Sequence, residues 1–141
     1  MSSDNKAFVR QFLETMDAMM VGKGSRELLR ALMHEDHVFH FPLAPEPLGR
    51  DAHIGMNLDF ASKFSNFQHI VQEQIAEGDK VVTRGTVRLT HTSEFNGIPP
   101  SGKTLEFGFI NIMHIQDGKN REEWNEIDGL KFMRGLGAIP S

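Results

Sequence analysis

The first half of the chain carries apolar residues at helical spacing. Between residues 4 and 20 they recur every three or four positions and form one broad face, which predicts an amphipathic helix. Ser25 is placed to cap a second, shorter helix, and Asp51 to cap a third that runs through about Phe64. A short strand at residues 38–41, stopped by Pro42, separates the second helix from the third.

The second half of the chain changes to the period of two that is typical of strands. Residues 68–75, 80–94, 104–115 and 120–128 predict four strands, and Asp117-Gly118 between the last two is a strong hairpin signal. Helices followed by strands predict an α+β fold, with the helices on one face of an antiparallel sheet. At 141 residues, without repeat or linker, we expect a single domain over residues 1–141.

The hairpin allows the residues that face each other to be counted. If Asp117-Gly118 forms a two-residue turn, Gln116 pairs with Lys119 and Met113 faces Glu122. The predicted face then holds Phe107, Phe109, Asn111, Met113, Trp124, Glu126 and Asp128. A carboxylate among aromatic rings is desolvated, which raises its pKa and makes it a candidate general acid or base.

Two alternatives to that arrangement stay open. Glu126 and Asp128 would be ordinary solvated carboxylates if they lie near the rim of the sheet. A β-bulge in either strand would also shift the count by one residue and exchange the two faces.

Composition and charge exclude several functions. The chain has no cysteine, so disulfides, thiolate metal sites and a cysteine nucleophile are excluded. The formal net charge is −4 without a basic cluster, so we expect no nucleic-acid partner. No apolar run approaches the ~20 residues that span a bilayer. Residues 1–10 lack a signal-peptide pattern, so we expect no membrane partner and a cytoplasmic location.

Three histidines raise the question of a metal. His34, His37 and His40 lie three residues apart, which on a helix would place them on one face. Residues 38–41 predict a strand instead, on which these side chains do not converge. We therefore expect no metal site.

Short motifs in the second half of the chain resemble those of the SnoaL-like polyketide and ester cyclases. In order they are Gly78-Asp79-Lys80-Val81-Val82, Thr90-His91-Thr92, residues 97–103, Asp117-Gly118-Lys119, Glu123-Trp124, Asp128 and Leu136-Gly137-Ala138. The resemblance covers roughly residues 6–140 and implies a nuclear transport factor 2-like fold. That fold is a cone-shaped α+β barrel, in which three N-terminal helices pack on a curved, mainly antiparallel sheet and enclose a pocket.

The resemblance also implies a chemistry without metal or cofactor, and a homodimer. Asp128 falls on the position of an acid/base aspartate on the late strand, and His91 matches a family histidine. Asn111 and His91 would hydrogen-bond an enolate oxygen. His40 lies where relatives place a polar pocket residue. The substrate-binding set expected with these three catalytic residues is Trp124, Glu126, Phe107, Phe109, His40 and Asn57.

The sequence departs from its relatives at a few positions. His114 stands where arginine is common, and Glu126 where a small or apolar residue is common. The Arg-x-Asp pair of limonene epoxide hydrolases is missing, since Asn111 and Met113 stand in that region. The chain has no tyrosine, which a ketosteroid isomerase would need. These departures disfavour both of those reactions.

Two functions of different classes remain. The first is a cofactor-independent cyclase, isomerase or lyase that moves protons on a hydrophobic, carbonyl-bearing, polyketide-like molecule through Asp128. The second is a non-catalytic protein that binds a small molecule in the same apolar cavity. A buried Asp128 with hydrogen-bonding neighbours favours the enzyme. An exposed Asp128, or one paired with Arg121 or Arg134, favours the binding protein.

Overall fold

The computed structural model describes residues 2–140, with side chains from residue 4 onward, and contains four helices and five strands in that range. Their order is α1 (Ser2–Met20), α2 (Arg26–Ala31), β1 (Met33–His40), α3 (Arg50–Ala61), β2 (Phe64–Glu77), β3 (Lys80–His91), β4 (Thr104–Gln116), β5 (Lys119–Ile127) and α4 (Gly129–Leu136). None of the described helices has the length and hydropathy needed to cross a membrane. The predicted α+β class and the three N-terminal helices are confirmed.

The five strands form one sheet in the order β1-β5-β4-β3-β2. Neighbouring strands are antiparallel, except that β1 runs parallel to β5. The sheet is curved and does not close, which gives the expected cone shape. Helix α1 packs on β2, and α3 packs on β1, so both helices cover the concave side.

The core lies between that concave side and the helices. Along β4 every second residue is buried, beginning at Leu105 and ending at Ile115. This strict alternation is the period that the sequence predicted. Helix α1 contributes one apolar face, whose buried members are Val9, Phe12, Leu13, Met16, Met19 and Met20.

The β4–β5 hairpin confirms the predicted turn but not the predicted count. Gln116 pairs with Lys119, and Asp117 and Gly118 have φ of 56° and 70°, as a two-residue hairpin turn of this hand requires. Beyond the turn Ile115 pairs with Asn120 but His114 pairs with Glu122. Arg121 is therefore an extra residue in β5, a β-bulge that shifts every later pair by one.

The bulge exchanges the two faces of β5. Met113 pairs with Glu123, not with Glu122 as the count predicted, so Glu123 turns into the core. The prediction that Trp124 and Glu126 share the face of Phe107 was wrong. Trp124 is 40% exposed and Glu126 is exposed on the convex side of the sheet.

Asp128 also lies outside the core. It follows β5 directly, is exposed, and is the N-cap of α4, where its Oδ1 accepts a hydrogen bond of 3.0 Å from the Lys131 backbone N–H. A side-chain oxygen in this position satisfies one of the free N–H groups of the first helical turn. The position predicted for Asp128, beside Phe107 in the pocket face, was therefore wrong.

Gly85 of β3 allows the Ile70 backbone of β2 and the Phe109 ring of β4 to lie close to it. A β-carbon there would collide with the Ile70 carbonyl oxygen and come within 2.9 Å of Phe109 Cε1. A β-carbon on Gly108, in the adjacent strand β4, would meet nothing closer than 3.8 Å.

We predict that Gly85→Ala lowers the free energy of unfolding by about 1–3 kcal/mol, because the strands must separate. The control Gly108→Ala stays within about 0.5 kcal/mol of wild type. Urea unfolding measures both, and equal effects would contradict the packing described.

Candidate functional site

A pocket opens between the helices and the concave side of the sheet. Its walls are mostly apolar, and its space, including the open mouth, is about 590 Å³. The side chains around it are Leu13, Met16, Met20, Phe39, Phe41, Leu43, His53, Met56, Asn57, Phe60, Phe67, His69, Val87, Leu89, Phe107, Glu123, Asn125, Ile127 and Phe132. A few polar groups among apolar walls are typical of a small-molecule site.

Glu123 is the buried carboxyl group of this pocket. It is 2% exposed, and it is held by two asparagines of the sheet. Asn111 Nδ2 donates to Oε2 at 2.7 Å, and Asn120 Nδ2 donates to Oε1 at 2.8 Å. Burial raises the pKa of Glu123 to about 7, against the opposing effects of the Asn120 hydrogen bond, His69 and the Asn111 hydrogen bond. Near neutral pH this group can therefore both take and give a proton.

The two asparagines can serve both forms of Glu123. Their Nδ2 groups donate to the ionised carboxylate, while Oδ1 of Asn111 and Oδ1 of Asn120 have no hydrogen-bond partner among the described residues. Rotation of either amide by half a turn presents that oxygen as an acceptor for the O–H of the protonated acid. The surroundings of Glu123 therefore do not force it into one protonation state.

His69 of β2 reaches the same pocket with Asp17 of α1 behind it. His69 Nδ1 lies 2.7 Å from Asp17 Oδ1, and the His69 backbone N–H donates to Asp17 Oδ2 at 2.8 Å. The edge contact with Phe109, at 5.1 Å between ring centres, holds the imidazole further. Because a carboxylate only accepts, Nδ1 carries the proton and Nε2 of neutral His69 is an acceptor.

A second pair of histidines joins β1 to α3. His37 Nδ1 lies 3.0 Å from the Asn120 carbonyl oxygen, and His37 Nε2 lies 2.9 Å from His53 Nδ1. Burial lowers the pKa of His37 to about 4, although the Asn120 bond opposes this, and burial lowers the pKa of His53 well below its ordinary value. Both rings are therefore neutral at physiological pH.

These two histidines and Glu123 are also the residues that could hold a metal ion. A ring nitrogen of each and a carboxyl oxygen of Glu123 lie within 4.8 Å of one another, and two histidines with one glutamate can bind zinc. The electron pair of His37 Nε2, however, already accepts the bond from His53. We therefore do not assign a metal to this group. His34 and His40 lie elsewhere, beside Asp117 and Glu122, so the three histidines spaced by three do not converge, as predicted.

Of the residues that the sequence predicted for the site, some line the pocket or support it. Phe107 and Asn57 line the pocket, and Asn57 Nδ2 is buried without a hydrogen-bond partner among the described residues. Asn111 lies behind Glu123 and donates to it, so its predicted place on the inner face is confirmed. Phe109 is buried against the ring of His69.

The other predicted residues lie away from the pocket. His40 Nε2 donates to Glu122 Oε2 at 2.7 Å, and the His40 ring stacks on Trp124 on the convex side, where Glu126 also lies. His91 is buried at the end of β3 beside Phe64, and its backbone bonds to Gly102 and Lys103 hold the following loop. Asp128 caps α4.

Sequence reasoning missed Glu123, His69, Asp17, His37 and His53 as members of one site. Glu123 was part of a recognised motif, Glu123-Trp124, but the hairpin count placed it on the opposite face. His69 and Asp17 are 52 positions apart, and His37 and His53 are 16 apart. No spacing rule connects such residues, because only the packing of a helix on a strand brings each pair together.

The raised pKa of Glu123 predicts a pH dependence of stability. Its ordinary pKa is 4.5, so the stability that the protonated form provides is fully present below pH 4.5 and is lost as the pH rises through about 7. For His37, with its lowered pKa, stability is present above pH 6.5 and lost as the pH falls through about 4. Between pH 6.5 and 8 the His37 and His53 contributions also change, in the opposite direction, because histidines of the unfolded chain lose their protons over this range. The Glu123 contribution is therefore measured as the difference between the wild type and Glu123→Gln.

We predict that from pH 6.5 to pH 8 the free energy of unfolding of the wild type falls by about 1 kcal/mol relative to that of Glu123→Gln, in which the histidine contributions are the same. Urea unfolding at the two pH values measures it. The matched control is Glu126→Gln, which changes an exposed carboxylate of the same strand and should keep the wild-type dependence. A Glu123→Gln protein with the wild-type dependence would contradict the raised pKa.

Comparison with known proteins agrees with this architecture. The family model of the SnoaL-like polyketide cyclases matches residues 8–136. The proposed polyketide cyclase IdmH from Streptomyces antibioticus is 28% identical, with a TM-score of 0.82 over 94% of this chain and 98% of its own. TsrD from Streptomyces laurentii is also 28% identical, with a TM-score of 0.77 over 94% of this chain and 97% of its own.

A SnoaL-like polyketide cyclase from Jannaschia sp. CCS1, at 22% identity, shares the fold with a TM-score of 0.85 over 99% of this chain and 95% of its own. No curated protein matches the sequence. The family match covers nearly the whole chain, and the fold is shared with the solved structures. The chain belongs to the SnoaL-like polyketide cyclase family.

Proposed function

We propose that this protein is a cofactor-independent cyclase, isomerase or lyase that acts on a hydrophobic, carbonyl-bearing, polyketide-like molecule by proton transfer through Glu123. The observation that carries the proposal is a buried carboxyl group with a pKa of about 7 in the wall of an apolar pocket. A general base near the working pH has the best balance between being ionised and being basic. Family membership supports the cyclase-type role.

The proposed step is the removal of a proton from a carbon next to a carbonyl group. Ionised Glu123 takes the proton, the electron pair of the C–H bond forms a carbon–carbon double bond, and the carbonyl oxygen becomes an enolate. Protonated Glu123 then returns the proton to carbon or to oxygen. Asn111 and Asn120 hold the carboxyl group through both states.

One group of the pocket wall can stabilise the enolate oxygen in this proposal, and a second can accept a hydrogen bond from the substrate. Asn57 Nδ2 is a buried donor of the pocket wall and has no hydrogen-bond partner among the described residues. His69, with Asp17 behind it, lies in the same wall, and its Nε2 can accept a hydrogen bond from an O–H of the substrate because Nδ1 donates to Asp17. Donors that are already in place when charge develops lower the barrier without reorganisation.

A non-catalytic binding protein remains the second candidate, and one observation favours it. Asp128, the residue that family position singles out, is exposed and caps a helix, which is the arrangement expected of a binding protein. In the proposal Glu123 takes over the role of proton carrier, and Asp128 is structural. The two candidates therefore differ in what Glu123 does to a bound carbonyl compound.

Deuterium exchange next to a carbonyl group tests the proposed step without knowledge of the natural substrate. We predict that the wild type accelerates exchange of the α-protons of 2-tetralone in D2O, followed by proton NMR, and that Glu123→Gln slows this by about 10²- to 10⁴-fold. Asp128→Asn is the matched control, because asparagine is an equally good N-cap and the change also removes a carboxylate. It should exchange at the wild-type rate.

Other outcomes of this experiment would overturn the assignment. Exchange that is lost in Asp128→Asn and kept in Glu123→Gln would return the catalytic role to Asp128. Binding of 2-tetralone by the wild type without any acceleration of exchange would leave the binding protein as the function.

We also propose that the protein is a homodimer that pairs through the convex side of the sheet. That side exposes Ile110, Ile112 and Trp124, which form an apolar patch on β4 and β5. Exposed apolar groups on a flat sheet face commonly mark a contact between chains.

We predict that sedimentation velocity at micromolar concentration shows a dimer and that Ile112→Lys shifts it to monomer, because a charge would be buried without a partner. The control is Leu28→Lys on α2, where an even more exposed leucine lies away from the sheet, and this variant should remain a dimer. A monomeric wild type would contradict the proposal.

A further inference from the structure

We infer that Nε2 of His53 is a hydrogen-bond acceptor that selects a hydroxyl group on the molecule in the pocket, and that His37 and the Asn120 carbonyl fix it in this form. The inference rests on the proposed use of the pocket as a binding site, and it adds a chemical requirement on the ligand. It assigns a role to two buried histidines that the proton transfer by Glu123 does not use.

The hydrogen bond between His37 and the Asn120 backbone carbonyl fixes the tautomer of His37. The Asn120 carbonyl oxygen can only accept a hydrogen bond, and His37 Nδ1 lies 3.0 Å from it. Nδ1 of His37 therefore carries the proton. Since the ring is neutral, Nε2 of His37 has a free electron pair and no proton.

The hydrogen bond between His37 and His53 fixes the tautomer of His53. His37 Nε2 lies 2.9 Å from His53 Nδ1, and because it can only accept, His53 Nδ1 must donate. Neutral His53 then has no proton on Nε2. Phe39 stacks on the ring with 3.6 Å between ring centres and 5° between planes, which fixes the plane of the His53 imidazole.

The result is an acceptor that has no hydrogen-bond partner. His53 is 1% exposed and lines the pocket, and Nε2 is buried without a partner among the described residues. A buried polar atom without a partner costs free energy, which a ligand that supplies an N–H or O–H recovers. A ligand carbonyl brings no proton and cannot do so.

Asn57 indicates where the hydroxyl lies relative to the carbonyl. His53 and Asn57 are four residues apart on α3, so they project from the same side of the helix, with β-carbons about 5–6 Å apart. His53 presents an acceptor, and Asn57 Nδ2 presents a donor. The pair matches a ligand in which a hydroxyl and a carbonyl are only a few bonds apart.

The proximity of Glu123 agrees with this arrangement. A carboxyl oxygen of Glu123 lies within 4.8 Å of a ring nitrogen of His53, so the carboxyl group and the imidazole belong to the same part of the pocket. The aromatic rings of Phe60 and Phe107 in the same wall favour a flat carbon skeleton. The ligand class is therefore a flat hydroxylated carbonyl compound.

The tautomer can be measured on the ligand-free protein. Two-bond ¹⁵N–¹H correlation spectra of the uniformly ¹⁵N-labelled full chain distinguish protonated from unprotonated ring nitrogens, and the His53 signals are identified by their loss in His53→Gln. We expect a protonated Nδ1 and an unprotonated Nε2. The opposite tautomer, or a charged ring at pH 7, would overturn the inference.

Ligand selection is tested with two probes, of which the second carries a methyl group in place of the hydroxyl proton, and the His53 variants separate the hydrogen bond from the added bulk. We expect 2-naphthol to bind about tenfold more tightly than 2-methoxynaphthalene, as one additional hydrogen bond provides, and the His53 Nε2 signal to shift with 2-naphthol alone. His53→Leu should lose this preference, and His53→Gln, whose carbonyl oxygen can accept, should keep part of it. His37→Phe should weaken it, because His53 is then free to change tautomer.

Each remaining outcome is decisive. Equal affinity for the two probes, or no binding of either, overturns the assigned ligand class. A stoichiometric Zn²⁺ complex that shifts the nitrogens of both His37 and His53 overturns it in favour of a metal site. These measurements need no turnover. Selection by His53 can therefore fail while deuterium exchange through Glu123 succeeds, and exchange can fail while selection succeeds.

Discussion

The single extra residue at Arg121 determines which side chains face the pocket. Side chains alternate along a strand, so the insertion of one residue sends every later residue of β5 to the opposite face. The bulge is anchored to β1, since Arg121 Nη1 donates to the Asp36 carbonyl and the Asn120 backbone N–H donates to the Leu32 carbonyl. It turns Glu123 inward and Trp124 outward. The chemistry of the pocket thus depends on a backbone irregularity.

Asn120, the residue just before the bulge, links the polar groups of the interior. Its side chain donates to Glu123, and its carbonyl oxygen accepts from His37. A buried carboxyl group and two buried imidazoles would each be costly in an apolar core without hydrogen bonds. Asn120 bonds directly to Glu123 and to His37, and His37 in turn bonds to His53. In such surroundings the hydrogen bonds are strong because water does not compete. The same burial that raises the pKa of Glu123 keeps the histidines neutral.

The sequence predicted the α+β fold from periodicity, but it named only two residues of the pocket wall, Phe107 and Asn57. The face of α1, the alternation of β4 and the Asp117-Gly118 turn are local patterns, and the alternation placed Phe107 and Asn111 on the inner face of the sheet. The bulge has no such signal, since Arg121 is neither glycine nor another residue that marks an irregular backbone. Asp128, Trp124 and Glu126 were placed on the wrong face because the count did not allow for Arg121 as an extra, unpaired residue of β5. The contacts of His37 with His53 and of His69 with Asp17 could not be predicted from the sequence, because they join distant segments.

The position of a carboxylate in a family motif is therefore weaker evidence than its position in space. The motif resemblance singled out Asp128, but an exposed N-cap has no reason to carry a proton in an apolar cavity. Glu123 is buried, bonded and close to neutrality in its pKa. In the proposed function the sheet supplies the proton carrier, and α3 supplies an acceptor and a donor, His53 and Asn57. The residue that transfers the proton then lies on the sheet, and the residues that select the ligand lie on α3. Changes on α3 could therefore alter the accepted ligand while the sheet keeps the same chemistry, which is how one fold serves many substrates.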